Sequence, residues 1–360
     1  MIGQDLVRLC HSGLDATQLR VQVFQRLRRA VPFDAFWCAT ADPATLLFSG
    51  VVMDPTLQPA VAAMVTNELL ESDVNKFVHL ARGGRPVNTL YTATEGEPAR
   101  SARYRDILRP MGLGNELRAV LCTAGACWGL MCLHRAASDP GFTPADVAFV
   151  RQLGPHLAEG LRSALLLTEV ESAPMEEAEG PGLIVLCDDF SVAAVTPAAE
   201  RWLAELSDWP RGSGLPQAVQ AVAIRRWALD RAGESRSEAM PRLRTRTRSG
   251  QWLVLHASRL SGPDAAGRTA IIIEPAQPAE VAPLVLQAYS LTEREAAVSG
   301  FVLRGLSTDD IARVLCISPL TVQQHVKAIF DKTGVRSRRE LVGQIFAQYY
   351  RPRLQNDRSC

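Results

Sequence analysis

No stretch of this 360-residue sequence reaches the ~18 consecutive apolar residues that a membrane-spanning helix requires. The opening residues, MIGQDLVRLCHSG, lack the charged start and long apolar run of a signal peptide. The eight cysteines are scattered through apolar segments. That pattern excludes a disulfide framework and reads as buried small hydrophobes in a reducing cytosol. Together these absences predict a cytoplasmic protein with no membrane partner. An excess of one charge is also missing: 39 Lys and Arg stand against 38 Asp and Glu, which excludes a strongly basic nucleic-acid coat. Catalytic patterns are lacking too, with neither a G-x-S-x-G elbow nor a glycine-rich phosphate loop. The sequence therefore reads as a non-enzyme, and no catalytic residue is assigned. Cys122, Cys127 and Cys132 recur at x4 spacing without the second pair a zinc site favours. They read as core, with redox or metal sensing as the alternative. His79, His134 and His156 are isolated; no metal site is assigned, and the cofactor and ligand-binding residues remain unknown.

What is present is unevenly distributed. From Val285 to the end, 11 Lys and Arg stand against 7 Asp and Glu, leaving 28 against 31 for the remainder. A small basic module on a larger partner suits DNA binding. The length calls for two or three domains. The first, 5–168, opens on an amphipathic helix pattern. Strand-like runs follow at Phe33 to Thr40 and Thr45 to Val52, then a helix at Leu57 to Leu70. A hairpin pairs Glu116 to Cys122 with Trp128 to Arg135. A long helix then starts with Thr143 as N-cap, Pro144 at N1 and Asp146 at N3. An acidic linker spans 169–182. A second domain, 183–274, begins with the strand GLIVLCD, continues with a helix containing Trp202, and closes in strands. A proline-rich linker is expected at 275–284. A helical domain occupies 285–350, and 351–360 is a tail.

Within 285–350, four helices each open on a cap signature: Thr292 to Glu295, Ser307 to Asp310, Ser318-Pro319 and Ser337 to Glu340. The hydroxyl accepts one orphan N–H, and the acid reaches back to another. Ile317 and Val322 form a hydrophobic staple, and Gly305 and Gly334 fit left-handed helix stops. In the helix from Pro319 to about Lys332, Val322, Val326, Ile329 and Phe330 share one stripe, whereas Gln324, Lys327 and Asp331 fall opposite with Gln323 at the flank. A short helix over Thr308 to Leu315 precedes it through a tight turn at Cys316-Ile317. This is a helix-turn-helix, whose second helix enters the major groove of double-stranded DNA.

The string LTEREAAVSGFVLRGLSTDDIARVLCISPLTVQQHVKAIFDKTGVRSRREL resembles the LuxR/FixJ family of bacterial regulators in its C-terminal four-helix domain. The resemblance implies a DNA-binding transcription regulator. Where the family commonly has Lys after T-V, this chain has Gln323, which loses a phosphate- or guanine-binding charge and gains an amide able to pair with adenine. The DNA-binding residues expected are Ser318, Thr321, Gln323, Gln324, His325, Lys327, Lys332, Arg336 and Arg338. Gln324 also fits a solvated surface position, and His325 suits either phosphate contact or packing. In the family this final helix is the usual dimer contact, which implies a homodimer through Val342, Ile345 and Tyr349.

The first stretch resembles a GAF domain through VPFDAFWCATADP, CWGLMCLHR and GFTPADVAFVRQLGPHLAEGLRSALL. The second resembles a PAS domain more weakly, through GLIVLCDDFSVAAVTPAAERWLAEL and GQWLVLHASRL. Either hollow could take a small-molecule ligand. Arg242, Arg244, Arg246 and Arg248 share one strand face, which fits a solvated surface or docking against the acidic linker or DNA phosphate. The fold class expected is multidomain: α+β GAF-like and PAS-like sensor domains followed by an all-α four-helix helix-turn-helix domain. A ligand-activated enzyme, or a scaffold localised by its helix-turn-helix, is the competing reading.

Overall fold

The computed structural model describes residues 2–166, 180–206, 214–233, 241–262 and 267–345. It divides into two compact units, the first reaching Pro275 and the second beginning at Ala276.

The first unit holds two modules. Its opening helices α1 (Ile2–Cys10) and α2 (Ala16–Leu27) lead to strands β1 (Ala35–Ala41) and β2 (Phe48–Met53). Helices α3 (Val61–Leu70) and α4 (Phe77–Arg82) follow, then β3 (Val87–Thr89) and α5 (Leu90–Ala93). The long strands β4 (Leu113–Thr123) and β5 (Ala126–Ala136) form the expected hairpin. Its two-residue turn places Ala124 and Gly125 at φ +51° and +73°, the left-handed pair that matches strand twist. Helix α6 (Pro144–Leu166) starts as its sequence requires: Thr143 Oγ1 accepts from Asp146 N, and Asp146 returns the bond to Thr143 N. The antiparallel sheet runs β2-β1-β5-β4-β3.

The second module repeats that order. Its strands β6 (Gly182–Leu186), β7 (Val192–Val195), β8 (Arg242–Arg246), β9 (Trp252–Arg259) and β10 (Thr269–Pro275) align as β7-β6-β10-β9-β8. Helices α7 (Pro197–Glu205) and α8 (Gln217–Arg231) lie between β7 and β8 in sequence. The modules share one buried apolar cluster, joining Phe48, Val65 and Leu130 to Val222, Leu253 and Ile271. The two therefore fold as one unit, not as beads on a linker.

The arginine alternation contributes to this union. Leu243 and Thr245 turn inward, and their exposures are 0 and 1%. On the other face Arg244 forks onto Asp42 of the first module, with Nε to Oδ2 at 2.8 Å and Nη2 to Oδ1 at 2.6 Å. Arg246 lies over the Trp252 ring and donates to Gly250 O. Arg248 donates to Leu206 O. The acidic linker proposed to receive these arginines lies outside the described residues up to Glu179.

The second unit corrects one expectation. Residues 278–284, expected to be linker, form the larger part of helix α9 (Pro278–Ala288). Pro278 sits at N1, where no N–H is needed, and Gln277 with Glu280 closes a capping box. Pro283 lies inside this helix, which continues past it to Ala288. Helices α10 (Glu293–Leu303), α11 (Thr308–Leu315) and α12 (Pro319–Thr333) follow, with a last helix over 338–345. Among the described residues no helix is long and apolar enough to cross a membrane.

Candidate nucleic-acid interface and buried pocket

In the second unit, local chemistry sets each helix start. Thr292 and Glu295 complete a reciprocal box. Ser307 accepts from Asp310 N, and Ser318 accepts from Thr321 N at 3.0 Å. Cys316 takes a left-handed conformation (φ +54°) in the turn between α11 and α12, and Gly305 and Gly334 stop their helices at φ +81° and +74°. Val322 and Ile329 pack into a core with Ile311, Leu341 and Ile345.

That packing leaves Gln323, Gln324 and Lys327 exposed on α12, while His325 is half-buried. Ser318 and Thr321 spend part of their bonding on the cap and on each other, 2.8 Å apart. Two of the expected DNA-binding residues have structural partners of their own. Lys332 Nζ lies 2.6 Å from Glu295 Oε2 and also donates to Ser290 O, tying the end of α12 to the cap of α10. Burial alone would raise the Glu295 carboxyl, but Lys332 and Thr292 hold it below its usual range. Arg338 donates to Leu306 O and Thr308 Oγ1, fastening the last helix to the turn before α11. Lys327, Lys332, Arg336 and Arg339 are exposed on or near α12, and of these Lys332 is ion-paired with Glu295.

Of the expected dimer residues, Ile345 is 1% exposed and belongs to the core of its own domain. The helix is amphipathic, and its most apolar edge is consumed by α10 to α12. Val342 is half-buried, and Tyr349 lies outside the described residues.

The first unit contains a feature that the sequence reading left unassigned. Glu116 faces His134 across the β4–β5 ladder, and Arg118 faces Cys132. Two-residue periodicity therefore places all four on one sheet face. Arg103 forks onto Glu116, with Nη2 at 2.7 Å from Oε2 and Nε at 3.1 Å. Arg118 pairs as a charge with Glu68 at 2.8 Å and lies 3.9 Å from the centre of the Phe77 ring. Burial would raise Glu116, yet Arg103 and Arg118 hold it low. Burial pushes the Cys132 thiol up to about 12.

His134 is fully buried, and neither ring nitrogen has a hydrogen-bond partner among the described residues. Burial, helped by Arg118 and Arg103 and opposed by Glu116, pushes its value down to about 4. It is therefore neutral at pH 7, with one donor and one acceptor unused. It edges a cavity of about 40 Å³ that Trp37, Phe48, Met64, Val65 and Phe77 also line. The last wall is Gln217, the first residue of α8 in the second module, whose Oε1 accepts from Trp37 Nε1 at 3.0 Å.

Donor atoms of Glu116, Cys132 and His134 lie within 4.8 Å of one another, close enough for a metal. A cation there would face two guanidinium groups and compete with Arg103 for Glu116, so the surroundings favour a neutral occupant. Among the described residues the seven cysteines are free thiols, with Cys122 opposite Cys127 at the hairpin end.

The sequence reading missed Trp37, Glu68, Arg103, Glu116, Arg118 and Gln217. For Glu116 and Arg118 a signal existed in GNELRAV, where charged residues alternate within an otherwise apolar strand.

Comparison with known proteins assigns both regions. The family of bacterial regulatory proteins of the luxR type matches residues 289–344, and the GAF domain matches residues 22–161. Over 62 residues, 17% of this chain, the sequence is 36% identical to the HTH-type transcriptional regulator MalT of Serratia proteamaculans (strain 568). The MalT of Yersinia pestis matches to the same extent. The chain spans only 7% of the length of these relatives. Among solved structures, Escherichia coli SdiA is 11% identical with 96% of both chains covered, at a TM-score of 0.31, too loose to compare architectures. Residues 22–161 are thus a GAF domain, and residues 289–344 are a helix-turn-helix domain of the luxR family of bacterial regulatory proteins.

Proposed function

We propose that this chain is a cytoplasmic transcription regulator, not an enzyme, that binds double-stranded DNA as a homodimer through α12 and responds to a small molecule in its first unit. The observation that carries the reading is the exposed polar face of α12. Gln323, Gln324 and Lys327 project from a helix whose start is fixed by Ser318 and whose opposite face is core. An amide can pair with adenine on its major-groove edge, and a lysine can meet guanine or phosphate. Lys327, Arg336 and Arg339 supply the sequence-independent attraction. A single helix-turn-helix reads only a short half-site, which supports a dimer; Val342 on the last helix and Tyr349, further along the sequence, are the proposed contacts. The second module, with its antiparallel sheet, is proposed to be PAS-like.

Selection of the full-length protein against a random duplex library tests this. The expected outcome is an enriched two-fold-related motif, bound at least a hundredfold more tightly than random DNA at 150 mM salt. Equal affinity for selected and random duplexes would remove the reading.

A further inference from the structure

We infer that the buried pocket of the GAF domain is bipartite: it takes a small uncharged molecule with a ring-like apolar body and a hydrogen-bonding head directed at His134, and Gln217 of the second module is its displaceable wall. This rests on the sensor reading above and specifies the ligand class and the route of the signal.

The ligand's charge follows from the groups around the site. The carboxylates of Glu68, Asp73 and Glu116 are buried with the cations Lys76, Arg103 and Arg118. Lys76 itself donates to Asn67 O and Glu71 O, both at 2.6 Å. The network is balanced, so an entering anion or cation would remain uncompensated in a low-dielectric site. Four side-chain atoms here lack a hydrogen-bond partner: Glu68 Oε2 and Arg118 Nε, whose charges already offset each other at 2.8 Å, and both nitrogens of the neutral His134. A hydroxyl-like head, which both donates and accepts, would satisfy whichever His134 nitrogen it meets. The ring-like body follows from the walls, where Trp37 stacks on Phe77 at 5.8 Å and meets Phe48 edge-on at 5.1 Å.

The route follows from volume. A cavity of about 40 Å³ holds water but no aromatic ring, so a wall must move. Most walls are sheet or helix core. Gln217 is different: it is held by the Trp37 bond and a 3.5 Å contact from its amide nitrogen to Met53 Sδ. It also begins α8, which packs on α3, β2 and the second sheet. Displacing Gln217 therefore moves the start of a helix that both modules share.

Phenol serves as the neutral probe, with benzoate and benzylammonium as charged probes of similar size. Binding to the full-length protein is read by saturation-transfer NMR, and the response of α8 by amide hydrogen exchange. Phenol should bind at least tenfold more tightly than either ion. His134→Phe should weaken it at least tenfold, while His134→Gln, which keeps a donor and an acceptor, should retain it within a few-fold and controls for folding. Saturating phenol should change exchange at the start of α8 in the wild type and much less in Gln217→Ala, whose shorter side chain opens the cavity in advance. Benzoate or benzylammonium binding as well as phenol, no phenol binding at all, or full binding by His134→Phe would overturn the ligand class. Phenol binding with unchanged α8 exchange would overturn the displaceable wall. Phenol binding with an α8 response in a protein that selects no DNA sequence would leave the pocket standing and defeat only the regulator reading.

Discussion

Lowering the pH should destabilise the first unit through His134. Its folded value is about 4 against an ordinary 6.5. The folded state therefore favours the neutral ring, and the unfolded chain binds the extra proton first. Stability from this residue is complete above pH 6.5, falls as the pH drops from 6.5 towards 4, and is constant below. Between pH 7 and pH 5 the loss is roughly 2 kcal/mol by proton linkage. The groups facing His134 are Glu116, Arg118, Arg103 and Cys132, and none has an ordinary protonation step between pH 5 and 7. His256 is also depressed, by burial and Arg242 against Glu274, so the total wild-type slope includes a second contribution. A comparison with His134→Gln isolates the first. The assay is urea denaturation followed by tryptophan fluorescence. All six tryptophans fall between Trp37 and Trp252, so the signal reports the front of the chain and not the helix-turn-helix domain. The difference between wild type and variant should shrink or change sign by roughly 2 kcal/mol from pH 7 to pH 5. Parallel pH curves for the two proteins would refute the claim that His134 is held neutral by burial.

Four further outcomes are expected. Gln324→Ala should cost ~1–3 kcal/mol on the selected operator and almost nothing on random DNA if the amide reads a base, as a filter-binding comparison would show. With Lys332 and Arg338 committed inside the domain, three cations remain, so log K should fall against log salt with a slope of roughly −3 per protomer, reduced by about 1 in Lys327→Ala; a flat plot would contradict groove docking. Ile345→Lys should unfold the helix-turn-helix domain, seen as lost helical circular dichroism and lost DNA binding at every site, because it places a charge in the core; a folded variant would return Ile345 to the dimer surface. Asp42→Ala should destabilise the first unit by about 2 kcal/mol through loss of charge-assisted bonds to Arg244, read by the same fluorescence titration.

The helix-turn-helix was legible in sequence because its determinants are local. A cap, a staple or a left-handed glycine acts within about one helical turn, so Thr292, Ser307, Ser318, Gly305 and Gly334 could be assigned from spacing alone. The exposed face of α12 followed from the same period. Pairing between distant groups was not legible. Nothing adjacent to Lys332 or Arg338 in sequence indicates that Glu295 and Leu306 will claim them, and their charge alone suggested DNA. Proline composition suggested a linker where Pro278 instead starts a helix, because proline is penalised inside a helix and tolerated at its first turn.

The sequence by itself determined the starts of α10 to α12, the stops at Gly305 and Gly334, the β4–β5 hairpin and the start of α6, since each depends on backbone groups a few residues apart. Only the tertiary structure decided that the two front modules share a core, that Asp42 receives Arg244 from some 200 residues away, and that His134 is buried beside the Gln217 pocket wall with no hydrogen-bond partner among the described residues. Those outcomes depend on which surfaces exclude water together. Desolvation acts on neighbours in space, and the sequence does not order its residues by that distance.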